Sequence, residues 1–257
     1  MTARSAVVTG AGRGIGRAIA RRLAKDGFAV TVSDIDATTA KSVAAEITDS
    51  GGIAIHAACD VTDREAVFDL VKVAAGAHGG VDVMIANAGI AQVKTLLEVT
   101  PQDLDRIVRV NLNGVLWSLQ AAAERMIQQG HGGKIINAAS IAGHSGFAYL
   151  GHYSATKFAT VGLTQAAAKE LAQHGITVNS YCPGIVATEM WNLIDEQLGA
   201  YLGLSKGETL KKYAESIPLG RTQTPEDVAG FVSYLASADS DYMTGQSVAI
   251  DGGVIMR

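Results

Sequence analysis

Thr9-Gly10-Ala11-Gly12-Arg13-Gly14-Ile15-Gly16 is the stretch whose reading decides the fold. It follows a short apolar run, Ser5–Thr9, and opens a segment with helical patterning. Glycines here permit a tight turn and a close backbone approach to a pyrophosphate. The next helix would present its unpaired N–H groups and positive dipole end to that anion. Loops are often glycine-rich, so the run alone carries little weight. Between a strand and a helix, near the start of a βαβ unit, it points to dinucleotide binding. Gly10, Gly12, Arg13, Gly14, Ile15 and Gly16 would form the cradle.

Working outward, the second apolar run, Ala29–Ser33, ends at Asp34. A carboxylate there would accept hydrogen bonds from the adenosine ribose hydroxyls and repel a 2′-phosphate, which favours NAD over NADP. Two observations weigh against that reading. Asp34 has a lesser, competing reading as the cap of the following helix, and Arg13 has a guanidinium that would reach a 2′-phosphate. Ile35 supplies no second positive charge, and Asp34 is given more weight than Arg13.

Further apolar runs lie at Ile53–Ala57, Val83–Ala86, Lys134–Ala138, Thr177–Cys182 and Ser247–Ile250. Several are nearly continuous, as in a parallel sheet buried on both faces. Amphipathic stretches lie between them, with start signals. Thr62-Asp63-Arg64-Glu65 reads as a capping box. Thr100-Pro101 and Thr224-Pro225 each pair an N-cap with proline at the first helical position. No linker divides the chain, so residues 1–257 read as one doubly wound α/β domain of the Rossmann type, with a parallel sheet of about seven strands. The stretch from Gly184 to Thr224 is too long for an ordinary connection and reads as a substrate lid.

Polar residues and glycines collect at the carboxyl ends of the runs: Gly10, Asp34, Asp60, Asn87, Ser140 and Pro183-Gly184, in strand order. That edge of an open α/β sheet is where ligands bind. Further on, Tyr153 and Lys157 are four residues apart, on one face of a helix. An ammonium beside a phenol would lower its pKa and make Tyr153 a proton donor or acceptor.

Bulk properties exclude other classes. The 257 residues are 48% hydrophobic and 18% charged, with 21 basic and 25 acidic residues and a net charge of −4. No basic run suits nucleic acid, and no apolar run has membrane-spanning length. The sequence therefore reads as soluble and cytoplasmic. Cys59 and Cys182 sit in apolar runs as buried free thiols. The six histidines are scattered without metal-ligand spacing, so no metal is expected; His144 and His152 fall near the active-site loop.

Taken together, the Thr9–Gly16 turn, Asp60-Val61, Asn87-Ala88-Gly89, Asn111, Ser140, Tyr153–Lys157, Pro183-Gly184 and Asp251-Gly252-Gly253 resemble the short-chain dehydrogenase/reductase family along nearly the whole chain. Ala86 departs from the asparagine that many members carry there, without changing a catalytic group. The resemblance implies a Ser140–Tyr153–Lys157–Asn111 site. Tyr153 would move the proton, Ser140 would hydrogen-bond the substrate oxygen, and Lys157 would tune Tyr153 and hold the nicotinamide ribose. Asn111 would position Lys157 and a relay water. Asp60 and Val61 would meet the adenine, and Asn87, Ala88 and Gly89 would line the adenosine side. Pro183, Gly184, Ile185, Val186 and Thr188 would face the nicotinamide end. A non-catalytic dinucleotide sensor usually loses the tyrosine or lysine, whereas all four positions are kept here.

Asn137–His144, Tyr181–Trp191 and Asp239–Gly245 further resemble the acetoin/diacetyl reductases, or 2,3-butanediol dehydrogenases, within that family. Polyol dehydrogenases share part of the pattern. Ile141, Phe147 and Trp191 would form an apolar wall beside Ser140 and Tyr153, suited to methyl groups; Trp191 would equally serve to anchor the lid. The resemblance also implies a homotetramer, paired through the 100–130 helix and the Ala155–Ala172 helix.

Overall fold

The structure is a computed structural model that describes residues 3–256. Seven strands form one parallel sheet: β1 (Ser5–Val8), β2 (Ala29–Asp34), β3 (Ile53–Ala58), β4 (Val83–Ala86), β5 (Gly133–Ala138), β6 (Ile176–Pro183) and β7 (Ser247–Ile250), in the order β3-β2-β1-β4-β5-β6-β7. All seven expected strands are present, within a residue or so at each end. After β1 the chain winds to one side, and after β4 to the other. β1 and β4 pair in the middle, Ala6 beside Val83 and Val8 beside Ile85, so their diverging connections open a crevice at the strands' carboxyl ends.

Alternation along β1 assigns its side chains to two cores. Ala6 and Val8 pack with Ile19 and Leu23 of α1 (Gly14–Lys25) and Val228, Val232 and Leu235 of α9 (Pro225–Ala236). Val7 faces the opposite layer, with Val67, Leu70 and Val71 of α3 (Arg64–His78) and Leu119, Ala122 and Met126 of α5 (Gly114–Gln129). Each fully buried large aliphatic side chain contributes about 1.5–3 kcal/mol. β3 departs from the expectation of two-sided burial. It is the sheet's edge, and Ile53 is largely exposed.

Two caps behave as expected: Thr100 over α4 (Pro101–Val108) and Thr224 over α9 each form a capping box, with Asp103 and Asp227 respectively. The expected box at Thr62–Glu65 is corrected. Asp63 caps α3, accepting from the Glu65 and Ala66 N–H groups, while Thr62 N–H donates to Asp60 Oδ1 at 2.9 Å in the preceding turn. The 100–130 segment is not one regular helix either. A π turn at Arg109–Asn113 joins α4 to α5, a distortion that frequently marks functional sites. α6 spans Gly151–Leu171 and carries Tyr153 and Lys157.

Residues 184–224 hold two helices, α7 (Glu189–Leu202) and α8 (Glu208–Ala214). The insertion is closed at its neck, where Val186 bridges Gln223, Gln223 N–H donates to Ile185 O at 2.8 Å and Ala187 N–H to Gln223 O at 3.0 Å. The buried Asp195 of α7 accepts from the Gly207 and Leu210 N–H groups at 2.5 and 2.8 Å, binding α8 to α7. The Tyr201 ring lies tilted 5.2 Å from that of Tyr149 and its hydroxyl donates to Glu98 at 2.7 Å, so the outer end of α7 rests on residues around Glu98 and Tyr149.

Candidate active site

The glycine turn is shaped by what crowds it. Gly10 has φ +61°, and a Cβ there would stand 2.8 Å from Ala88 Cα. A side chain on Gly16 would run into the Gly10 carbonyl and the Asn87 amide. Asn87 is a clamp between three strand ends: its Nδ2 donates to Thr9 O (2.9 Å) and Gly10 O (3.0 Å), and its Oδ1 accepts from Tyr181 OH (2.8 Å). Tyr181, wholly buried in β6, was not singled out in the sequence; nothing local marks it as a partner of a residue 94 positions away. Helix α1 starts at Gly14 with no side-chain cap and no acidic residue in its first turn. Its free N–H groups face the crevice and suit an anion.

Asp34 does not cap α2 (Ala37–Asp49); Asp36 does, accepting from Thr38 and Thr39. The Asp34 carboxylate instead takes the Gly12 N–H at 2.9 Å and the Asp36 N–H at 3.1 Å, which ties the end of β2 to the glycine turn. Arg13 turns away from Asp34, across the crevice, to Glu189 at the start of α7 (2.8 Å). This cross-cleft pair is also invisible to local reading, because it links residues 176 positions apart.

At the other end of the crevice, Ser140 follows β5 and opens the Ile141–Gly143 turn, where its Oγ accepts from Ala142 N–H at 3.1 Å. Lys157 is buried and donates to Ala138 O at 2.7 Å, with its Nζ 5.7 Å from the Tyr153 ring centroid. Asn111, fully buried in the π turn, holds both polar groups of Ile90: Ile90 N–H donates to its Oδ1 (2.8 Å), and its Nδ2 donates to Ile90 O (2.9 Å) and to Thr156 Oγ (3.3 Å). It thereby fixes the segment after β4 against α6, at Thr156, one residue from Lys157.

Electrostatics here reverse one expectation. Burial raises the Tyr153 phenol above its usual pKa, and the Ser140 hydroxyl pulls it partly back. Lys157 is not the dominant influence on it. The ammonium stands off the ring, and burial pushes its own pKa down to about 8. Cys182, beneath the site at the end of β6, is pushed up to about 11 by burial and is an inert thiol at neutral pH, as is Cys59.

One cavity of about 550 Å³ joins the two ends. Every residue assigned from the sequence to the cofactor, the catalytic group or the substrate wall lines it except Gly12, which is turned toward Asp34 and Thr39, and Asn111, whose side chain bonds Ile90. Asp34, Asp60 and Val61 line one end, Gly10–Gly16 and Asn87–Gly89 the middle, and Ser140, Tyr153, Lys157 and Pro183–Thr188 the other. An elongated, anion-seeking groove of that form fits a nicotinamide dinucleotide. Ile141, Phe147 and Trp191 also line the cavity, as do Ile90, Leu150, Met190, Tyr213 and Val254, which the sequence reading passed over. Trp191 lines the cavity, and its ring lies 6.1 Å from that of Tyr213 within the insertion itself. His144 and His152 do not line it. His144 Nε2 lies 3.0 Å from Ser247 O and His152 Nε2 3.0 Å from Gln92 Oε1. Among the described residues, no three His, Cys, Asp or Glu side chains gather as a metal site, and no helix is long and apolar enough to cross a membrane.

Comparison with known proteins gives the family and its relatives. Residues 4–199 match the model of the short chain dehydrogenase family. L-2,3-butanediol dehydrogenase of Corynebacterium glutamicum is 49% identical, covering 97% of this chain and 98% of its own. An (S)-acetoin-forming diacetyl reductase of Staphylococcus epidermidis is 45% identical over 99% of both. Sorbitol dehydrogenase of Cereibacter sphaeroides is 38% identical, covering 97% and 96%. The crystal structure of a short-chain type dehydrogenase/reductase from Mycobacterium marinum superposes with a TM-score of 0.89 at 39% identity, covering 99% of this chain and 96% of that one.

Proposed function

The chain belongs to the short-chain dehydrogenase/reductase family and is an oxidoreductase acting on CH–OH groups, and we propose that it is an NAD-dependent enzyme interconverting diacetyl, acetoin and 2,3-butanediol. What supports the substrate is the apolar lining of the cavity that Ser140 and Tyr153 share. Ile141, Phe147, Trp191, Met190 and Leu150 put apolar surface where a polyol would need partners for its hydroxyls. Each hydroxyl buried without one costs about 1–3 kcal/mol. Methyl groups flanking a carbonyl lose nothing there.

NAD supplies the hydride chemistry when bound. Gly10–Gly16 and the open N-terminus of α1 would hold its pyrophosphate, and Asp34 its adenosine ribose. Asp60 and Val61 would meet the adenine beside Asn87–Gly89, and Pro183–Thr188 the nicotinamide end. In reduction, Tyr153 donates its phenolic proton to the substrate oxygen while Ser140 donates a hydrogen bond to the same atom. In oxidation, Tyr153 takes the proton back. The ammonium of Lys157 would stabilise the transient phenolate and hold the nicotinamide ribose hydroxyls, and Asn111 would brace it through the neighbouring Thr156. The 184–224 insertion acts as a lid whose α7 excludes water from the reacting carbonyl. The assembly is a homotetramer built through α5 and α6, with light scattering as its test.

A panel followed at 340 nm tests the reading: diacetyl and acetoin reduction against sorbitol and xylitol oxidation, with NAD(H) and NADP(H). Efficient diketone reduction with NADH is expected. Polyol oxidation without measurable diacetyl or acetoin reduction would overturn the substrate.

A further inference from the structure

β7 ends at Ile250, and the chain then reverses rather than running on along the strand direction. Gly252 and Gly253 have φ of +71° and +93°, the left-handed region that a side chain disfavours. The Asp251 carboxylate, 8% exposed, locks the reversal by accepting from Gly253 N–H (2.9 Å) and Ile255 N–H (2.8 Å). The turn is wedged between two elements of the site. Leu219 N–H, at the foot of the insertion, donates to Gly252 O at 3.2 Å, and Cβ atoms on Gly252 and Gly253 would stand 2.7 Å from Ile217 and 3.0 Å from Pro218. Opposite, a Cβ on Gly184 at the end of β6 would stand 2.8 Å from Asp251 Cβ. The residue delivered by this turn, Val254, is part of the cavity wall.

β7 is the sheet edge farthest from β3, so Val254 belongs to the end that holds Ser140 and Tyr153, not to the end with Asp34 and Asp60. We propose that Val254 is a specificity-determining residue, an aliphatic stop that limits the longer alkyl arm of an unsymmetrical vicinal diketone, and that Asp251 is the positioning residue that keeps it there. The proposal rests on the reading above only in placing the substrate at the Ser140–Tyr153 end. The C-terminal tail becomes a fourth side of the substrate site, beside the β5 turn, α6 and the insertion. Because the same turn grips Leu219, substrate size and the seating of the insertion are coupled through it.

The test is the ratio of kcat/KM for 2,3-hexanedione to that for diacetyl, with NADH, in Val254→Ala, Val254→Phe, Asp251→Asn and Met256→Ala. Met256 is 81% exposed and lies outside the cavity, so its variant is the control. Apolar pocket changes of a methyl or two alter discrimination by about 10-fold or more. Val254→Ala should raise the ratio about tenfold and Val254→Phe lower it at least as much, with the NADH Kd from fluorescence held within about twofold. Asp251→Asn, which can keep only one of the two N–H acceptors, should move the ratio toward that of Val254→Ala. A merely structural loss would lower both kcat/KM values together and leave their ratio alone. Ratios within twofold of wild type in both Val254 variants, or an equal shift in Met256→Ala, would overturn the proposal. Should the wild-type enzyme prefer polyols, the same ratio is taken between sorbitol and xylitol. A failed diketone assignment is then distinguishable from a failed role for Val254.

Discussion

Replacing Lys157 with methionine should destroy activity and stabilise the protein, and the size of the gain follows from the structure. Lys157 is 4% exposed, with no carboxylate partner among the described residues. Burial moves its pKa from 10.5 to about 8. At pH 7 the ammonium is charged in both folded and unfolded chains, and that displacement corresponds to about 3 kcal/mol held against the fold. Methionine keeps most of the volume and removes the charge. It also leaves the Ala138 carbonyl without its donor, a loss of about 1–2 kcal/mol. The net gain is about 1–2 kcal/mol, or about 3–6 °C in Tm for a domain of this size. The pH dependence carries the sharper signature. Between pH 8 and 10.5 the folded wild type loses its proton while the unfolded chain keeps it, so wild-type stability rises with pH through that window relative to the variant. The variant's advantage should be largest at pH 7, vanish between about pH 9 and 10, and turn into a small deficit by pH 10.5, where the lost hydrogen bond to Ala138 outweighs what is left of the charge penalty. Differential scanning fluorimetry of Lys157→Met across pH 7–10.5, without cofactor, measures it. A variant that melts below wild type at pH 7, or a gap that widens with pH, would refute the reasoning.

Tyr153→Phe should leave the fold and NADH binding intact while lowering kcat by about 10²–10⁴; a variant keeping a tenth of wild-type turnover would rule out Tyr153 as the proton donor. Because burial raises the Tyr153 pKa, reduction should stay fast at neutral pH and fall only in alkali, whereas oxidation should climb with pH; coincident profiles in the two directions would contradict this. Wild type should prefer NADH to NADPH in kcat/KM. Asp34→Ser should relax that preference, and adding Glu189→Gln, which frees Arg13 from its 2.8 Å partner, should relax it further; a double variant no better with NADPH than Asp34→Ser would show that Arg13 cannot reach the 2′-phosphate. Trp191→Ala should raise KM for acetoin and lower kcat, as steady-state kinetics would reveal, since Trp191 both lines the cavity and braces Tyr213; unchanged constants would count against a substrate-facing α7.

What the sequence made legible was what a few consecutive residues can state. Strand ends, the glycine turn, the Thr100 and Thr224 caps and the i,i+4 pair on α6 are local matters of backbone conformation and side-chain direction, and each was found where expected. The Thr62 cap slipped by one residue because Asp60 captured the Thr62 N–H and carried the turn forward. The misjudged Tyr153 pKa has a different origin. Spacing puts a lysine beside a tyrosine, but only packing reveals that both are buried and that desolvation acts on each before either acts on the other. Asn87 with Tyr181, Arg13 with Glu189 and Val254 in the cavity wall are long-range pairings with no local signal.

Those unforeseen contacts have a common arrangement. In the proposed mechanism, the residues assigned to proton transfer and its support sit on the turn after β5, on α6 and on the π turn, where main-chain bonds fix three of them: Lys157 to Ala138, Asn111 to Ile90, Ser140 to Ala142. The groups proposed to meet the rest of the substrate come from the 184–224 insertion and the C-terminal turn, which are tied down at a narrow neck at Val186–Gln223 and through Leu219 on Gly252. The chemistry is therefore anchored in the part of the molecule that a change of substrate need not disturb. The substrate-facing surface hangs from a few hydrogen bonds at its rim. Substitutions in α7 or the tail should accordingly shift which ketone is taken while leaving the proton transfer intact. Substitutions at Asn87 or Asn111, though neither touches the reacting carbonyl in this reading, should reduce turnover of every substrate alike, because each holds together the strand ends on which the rest of the site is built.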